Sequence, residues 1–125
     1  TIVPNRHTFY VRESAVNVRY AAPEVIVRIA ESRDSESIEA DQASDVYSLG
    51  VVMLEILSGS APWGGISDAS VTSAVKAGKG LQVVCDNDDV HSLALASVIQ
   101  ECVSLETDLR PLAAVVSARI SQLCQ

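Results

Sequence analysis

The feature that most constrains this chain is an apolar stretch between Asp45 and Leu57. Its apolar residues recur at spacings of three and four, which is typical of an α-helix. Ser44 can cap the start of this helix, and Gly59 can end it in a left-handed turn. One broad face holds Val46, Leu49, Val52, Met53, Ile56 and Leu57, and a second holds Val51 and Leu54. Because apolar side chains occupy nearly every side, we predict a buried central helix over 44–58 with other helices packed around it.

Four shorter segments are predicted to form those surrounding helices. Pro23 followed by Glu24 suits the first turn of a helix, and further helices are predicted at about 68–77, 92–103 and 111–123. Residues 1–20 have no sustained period, and residues 31–41 are rich in Glu, Asp and Ser, so both are predicted as loops, the second of them exposed. The chain is therefore predicted to be all-α, with about four helices around the central one.

Composition narrows the possible functions. The chain has 125 residues, 9 Lys+Arg against 16 Asp+Glu and a net charge of −7, so a surface for nucleic acid or anionic membranes is disfavoured. No apolar run is long enough to span a bilayer and no leader is apparent, which favours a soluble, intracellular and cytoplasmic protein. Cys85, Cys102 and Cys124 lack the spacing of a zinc site and are expected to be reduced thiols.

Three short motifs carry a resemblance to a known family. They are R-Y-A-A-P-E at 19–24, D-V-Y-S-L-G-V-V at 45–52 and D-L-R-P at 108–111. Their order and separation resemble the protein kinase superfamily, from its A-P-E-type motif to its C-terminal helix. The resemblance covers about residues 10–123 and implies the helical part of the large lobe. Residues 1–20 would then be a loop remaining from the activation segment, and residues 21–125 the helical subdomain.

The resemblance also implies roles for particular residues. Glu24 would pair with Arg110 and clamp the substrate-facing loop to the helical base, and Asp45 would hydrogen-bond the backbone of the catalytic loop. The structural motif residues would be Ala22, Pro23, Glu24, Asp45, Gly50 and Arg110. Substrate docking would involve Asn17, Val18, Arg19, Tyr20 and Trp63. Trp63, which follows a turn-forming Ala-Pro pair, could instead pack into the core, the commoner fate of a large aromatic.

The groups that perform phosphoryl transfer are missing from this sequence. A kinase needs a Gly-rich loop, a strand lysine, a catalytic-loop Asp and Asn, and a metal-binding D-F-G aspartate, and none is present. ATP and Mg²⁺ would therefore be bound by the complete parent, whereas this chain alone is expected to bind no cofactor or metal and to be inactive. Lys79 lacks the pattern of a phosphate loop, residues 86–97 lack the glycine and glutamate of a calcium loop, and His7 and His91 lack a nucleophile motif.

The motifs also bear on which hydroxyl residue the parent kinase would phosphorylate and on where the chain itself could be phosphorylated. Asn17 stands where Ser/Thr kinases usually carry threonine, and Val18-Arg19-Tyr20 is closer to tyrosine kinases. Residues 45–52, however, resemble the tyrosine-kinase-like branch, whose members mostly phosphorylate Ser and Thr, so Ser/Thr is favoured over Tyr. The candidate phosphorylation sites are Thr8, Tyr10 and Ser14, with unmodified polar surface as the alternative.

Two functions of different classes remain. The first is part of a protein kinase, a transferase whose partners are a protein or peptide substrate and the missing N-terminal lobe; the parent could be membrane-anchored outside this segment. The second is a non-catalytic helical scaffold for protein interaction, derived from a kinase. An unrelated helical bundle with chance motifs is the third and simplest alternative.

Overall fold

The computed structural model describes residues 8–12, 16–31, 38–86 and 88–125. In these ranges the chain is mostly helical, which confirms the predicted class. The helices are α1 (Pro23–Glu31), α2 (Gln42–Ser58), α3 (Asp68–Lys76), α4 (Val90–Cys102) and α5 (Ala113–Leu123), with a 3-10 turn at Thr107–Leu109. Two short strands, β1 (Thr8–Val11) and β2 (Ile38–Asp41), complete the described part.

Helix α2 is the central element and packs most extensively against α4. A Cβ atom added at Gly50 would lie 2.7 Å from Cβ of Cys102 and 2.9 Å from Cγ1 of Val103, closer than folded proteins tolerate. Glycine therefore lets the two helices approach each other here. Gly59 closes α2 in a left-handed conformation, with φ 71°, and donates its N–H to the carbonyl of Glu55 at 2.8 Å.

The start of α2 differs from the prediction. The helix begins at Gln42, and its cap is Asp41, whose carboxylate accepts the backbone N–H of Ser44 at 3.0 Å. Ser44 lies inside the first turn instead of capping it. Its hydroxyl takes a different role, because it donates to Glu24 on α1 at 2.9 Å.

One face of α2 is exposed. Leu49, Val52 and Ile56 are 41%, 43% and 75% accessible, so the prediction that the whole broad apolar face is buried is wrong for these three residues. They lie on one side of the helix at spacings of three and four. No other element of the described chain covers them. The opposite side, with Tyr47, Val51 and Leu54, lies in the main core cluster.

The two strands also depart from the predicted loops. They pair antiparallel, with Thr8 opposite Asp41 and Val11 opposite Ile38. Ile38 and Ala40 are buried, so this part of the predicted exposed loop is not exposed. The acidic composition of residues 31–41 concealed this alternation of buried and exposed side chains, which is the pattern of a strand with one face on the core.

The remaining helices form two smaller clusters. Helices α1 and α3 pack through Ile26, Val71 and Val75, while α5 contributes Val116 to a cluster that includes Cys102. None of the three cysteines, all of which the structure describes, forms a disulfide, and burial raises the pKa of Cys102. Within the described ranges, no helix has the length and apolarity needed to cross a membrane, and no group of three or more acidic, His or Cys side chains could hold a metal ion.

Candidate functional site

A buried ion pair joins α1 to the segment between α4 and α5. Pro23 opens α1, which places Glu24 in the first turn, while Arg110 directly follows the 3-10 turn. Nη1 of Arg110 lies 2.7 Å from Oε2 of Glu24, and Nη2 lies 2.9 Å from Oε1. The Arg110 side chain is fully buried and that of Glu24 is 16% exposed. This bidentate pair is the one that the family resemblance implies.

Arg110 is also bonded to two backbone carbonyls. Its Nε donates to the carbonyl of Ser104 at 2.9 Å, and its Nη1 donates to the carbonyl of Ala43 at 3.0 Å. The guanidinium lies 5.0 Å from the ring centroid of Tyr47, within the range of a cation–π contact. Arg110 therefore connects α1, α2 and the end of α4 at one point.

The charge state of this pair follows from two opposing effects. Burial alone would raise the pKa of Glu24, but the hydrogen bonds and positive charge of Arg110 outweigh it and lower the pKa below its usual value. Glu24 is therefore ionised at neutral pH. Burial also raises the pKa of Tyr47 to about 12, so its ring contacts Arg110 as a neutral phenol.

Asn17 organises the loop that precedes α1. Its carbonyl accepts the N–H of Tyr20 at 3.0 Å, and its side-chain Oδ1 accepts the N–H of Arg19 at 3.1 Å. Two contacts then fix Tyr20 to α2: Ser48 Oγ donates to the Tyr20 carbonyl at 2.8 Å, and the Tyr20 hydroxyl donates to Oε1 of Glu55 at 2.5 Å. The hydrogen bond to Glu55 raises the pKa of Tyr20. We call residues 17–20 the docking loop, after the substrate contact that the family resemblance implies for them.

Arg19 links the docking loop to residues 62–66, which we call the tryptophan turn. Its Nη1 donates to the carbonyls of Pro62 at 3.3 Å and Trp63 at 2.7 Å, and its Nη2 donates to the carbonyl of Ile66 at 2.5 Å. Its Nε lies 2.9 Å from Oδ1 of Asp68 at the start of α3. One side chain thus joins two segments separated by more than forty positions in the sequence.

Trp63 is partly buried and packs against the cluster of Ile26, Val71 and Val75. Val18 of the docking loop packs on the same cluster. The structure therefore brings the sequence-predicted docking residues together, with Trp63 packed into the core from one side. Trp63 also has φ 56°, in the left-handed region that non-glycine residues rarely occupy.

Asp45 lies apart from these contacts. It is exposed near the start of α2, and among the described residues none donates a hydrogen bond to its carboxylate. Although the side chain is exposed, desolvation by the surrounding protein and, to a smaller extent, the neighbouring charge of Asp41 raise its pKa. Asp45 shares a helix side with Leu49, Val52 and Ile56, and we call these four residues the open face of α2.

Two of the three candidate phosphorylation sites are described, and both lie outside this assembly. Thr8 and Tyr10 are on β1, and the Tyr10 side chain is 68% exposed. Ser14 lies outside the described residues.

Sequence reasoning missed two residues of the site. Glu55 accepts the Tyr20 hydroxyl, and Ser44 donates to Glu24, yet neither was expected to contact the loop or the ion pair. A signal was present for Glu55, because a carboxylate within a helix that is apolar on nearly every side calls for a polar partner. Ser44 gave no such signal, since a capping role explained it.

A central helix, a buried Glu–Arg pair and a loop held between the helices are the arrangement that the resemblance implies for the helical part of a protein kinase large lobe. The profile of the family described as protein tyrosine and serine/threonine kinase matches residues 3–120, and the chain belongs to this family.

Individual relatives agree with this assignment. The chain is 30% identical over 121 residues to "Probable serine/threonine-protein kinase SIS8" of Arabidopsis thaliana, a match that covers 94% of this chain and 10% of that protein. It is 27% identical over 104 residues to a probable serine/threonine-protein kinase of Dictyostelium discoideum, covering 83% of this chain and 7% of the relative. The chain thus spans about a tenth or less of the length of these two relatives.

Proposed function

We propose that this chain is the substrate-docking part of a protein kinase, which in its complete form transfers a phosphoryl group from ATP to Ser or Thr of a protein. The observation that carries the proposal is the docking loop, which the Glu24–Arg110 pair, α2 and the tryptophan turn hold in place. The names of the relatives support Ser/Thr over Tyr. ATP and Mg²⁺ would be bound by the parent outside this chain, because the motifs that hold them are missing from this sequence.

The open face of α2 supports a second part of this proposal. Three apolar side chains and one carboxylate, at spacings of three and four, form a surface suited to another protein segment. We assign the missing portion of the kinase domain to it, with backbone N–H groups of the catalytic loop donating to Asp45. Complete burial of a fully exposed apolar side chain is worth about 1.5–3 kcal/mol, so Leu49 and Val52, which are less than half exposed, would each contribute less than half of this and Ile56 most of it.

The proposed compartment of the activity is the cytoplasm. Three cysteines without a disulfide and a net charge of −7 support it, since thiols stay reduced in the cytosol and net charge favours solubility.

The open face also favours a second function, the kinase-derived scaffold. In that case a helix of another protein, and not the rest of a kinase, would cover Leu49, Val52 and Ile56. Because both functions use the same surface, that surface does not distinguish them. The sequence of the complete native protein does: a kinase needs the catalytic motifs elsewhere in the same polypeptide, whereas a scaffold does not.

The test is phosphoryl transfer by the full-length native product, whose size is first established by intact mass. With Mg²⁺ and ATP we expect it to label Ser or Thr in a peptide library, and we expect residues 1–125 alone to label nothing. Asp45→Asn should lower the activity of the full-length protein by about 10- to 100-fold because the catalytic loop loses an anchor. Asp86→Asn, an exposed loop carboxylate, is the matched control and should have no effect.

A native product that ends at these residues, or a longer one that transfers no phosphate, would favour the scaffold. Equal effects of Asp45→Asn and Asp86→Asn in an active protein would remove the role proposed for Asp45. In the isolated chain, Asp45→Asn should leave the free energy of unfolding nearly unchanged, since no described residue bonds to that carboxylate.

A further inference from the structure

Each of the three guanidinium nitrogens of Arg19 has a partner within the protein. All three of its nitrogens contact the tryptophan turn or the residue that starts α3, at distances between 2.5 and 3.3 Å. Its side chain is only 26% exposed. Arg19 lies in a loop expected to contact substrate, yet its donors point to the protein. It therefore acts through the segment it holds and not by touching a substrate.

The tryptophan turn has a shape that suits this side chain. Trp63 and Gly65 both have positive φ, 56° and 84°, which folds the chain so that the carbonyls of residues 62, 63 and 66 converge on one guanidinium. Positive φ is unfavourable for tryptophan, so the turn depends on contacts that stabilise it. Arginine supplies five donors in a rigid fork, whereas a lysine ammonium is a compact point charge.

We propose that Arg19 is a positioning residue that makes the docking loop and the tryptophan turn one continuous surface for the polypeptide substrate. This inference rests on the proposed kinase function. Val18 and Trp63 already share one apolar cluster, and Arg19 fixes their backbones relative to each other. Loss of the guanidinium would leave the ATP-binding part of the enzyme unaffected but would loosen the surface on which the peptide lies.

The kinetic test uses the full-length kinase with a Ser/Thr peptide substrate. Arg19→Gln should raise KM for the peptide about tenfold, while KM for ATP stays within about twofold. Arg19→Lys should give a smaller rise, because an ammonium cannot span all three carbonyls. Arg28→Gln is the matched control: Arg28 also donates to a backbone carbonyl, that of Glu39 at 2.9 Å, but on the side of β2. It should change neither constant.

A second readout needs no enzymatic activity. Trp63 is the only tryptophan of the chain, so the fluorescence of residues 1–125 reports on the turn alone. Arg19→Gln should shift the emission to longer wavelength and increase quenching by acrylamide, whereas Arg28→Gln should not. Matching circular dichroism spectra of the two variants would show that both are folded.

The outcomes separate this inference from the proposed function. An active wild type in which Arg19→Gln leaves either the peptide KM or the Trp63 fluorescence unchanged would overturn the positioning role alone. A parallel rise of both Michaelis constants would do the same, because it would indicate general damage. A wild-type full-length protein that transfers no phosphate would overturn the kinase function, and the positioning role would fall with it.

Discussion

The Glu24–Arg110 pair allows a sharp test of what holds the fold together. Glu24→Gln keeps the size of the side chain but removes its charge, leaving a fully buried guanidinium that cannot lose its proton. The hydrogen bonds of Arg110 to the carbonyls of Ala43 and Ser104 remain, but they do not neutralise it. Removing one partner of a buried pair typically costs about 3–5 kcal/mol, and we expect a loss of this size in the free energy of unfolding.

The measurement is urea unfolding followed by far-UV circular dichroism at neutral pH. Glu101→Gln provides the control, because Glu101 and Arg119 form an ion pair of similar length, 2.6 Å, in which the two side chains are 46% and 34% exposed. An exposed pair is worth about 0–1 kcal/mol. A loss below about 1 kcal/mol for Glu24→Gln, equal to that of the control, would refute the argument from burial.

The dependence on pH provides a second check. The pKa of Glu24 is lowered in the folded state, so its stabilising contribution is complete above the unfolded value, about 4.3, and is lost as the pH falls through the folded value. Gln cannot titrate. The difference in stability between wild type and Glu24→Gln should therefore narrow progressively as the pH falls below about 5. A constant difference over this range would show that the charge of Glu24 is not the cause.

Two further predictions concern α2 and use the same unfolding assay. Gly50→Ala should destabilise by about 1–3 kcal/mol, because overlap with Cys102 outweighs the better helix propensity of alanine; a gain in stability would contradict the close approach. Leu54→Ala should cost about 2–5 kcal/mol, whereas Ile56→Ala should stay within about 0.5 kcal/mol in the isolated chain, since Leu54 is buried and Ile56 is exposed. Equal losses would contradict the open face.

The local sequence pattern was sufficient to place the helices that have a clear apolar periodicity or a clear start or stop residue. The apolar periodicity of α2 and the glycine at 59 gave its position, and Pro23 gave the start of α1. The Glu24–Arg110 pair is different, because its partners are 86 residues apart and no local pattern connects them. It came from the resemblance of motifs at both ends of the chain to one family.

The errors have identifiable physical causes. Asp41 and Ser44 are three residues apart, and either could cap a helix. Tertiary contacts decide between them: β2 ends at Asp41, and the Ser44 hydroxyl is bonded to Glu24. The predicted burial of the open face was wrong for another reason. The apolar pattern of a helix shows that a face is suited to burial, but it does not show which segment covers that face.

The docking loop is fixed by contacts that all lie within the described residues. Tyr20 is bonded to α2 through Ser48 and Glu55, Arg19 is bonded to the tryptophan turn, and the Glu24–Arg110 pair fixes the start of α1 that follows the loop. None of these contacts uses a group that binds ATP or a metal. The shape of the proposed peptide surface therefore depends on the helical base, and the inactivity expected of the isolated chain follows from its missing catalytic groups and not from a disordered docking loop.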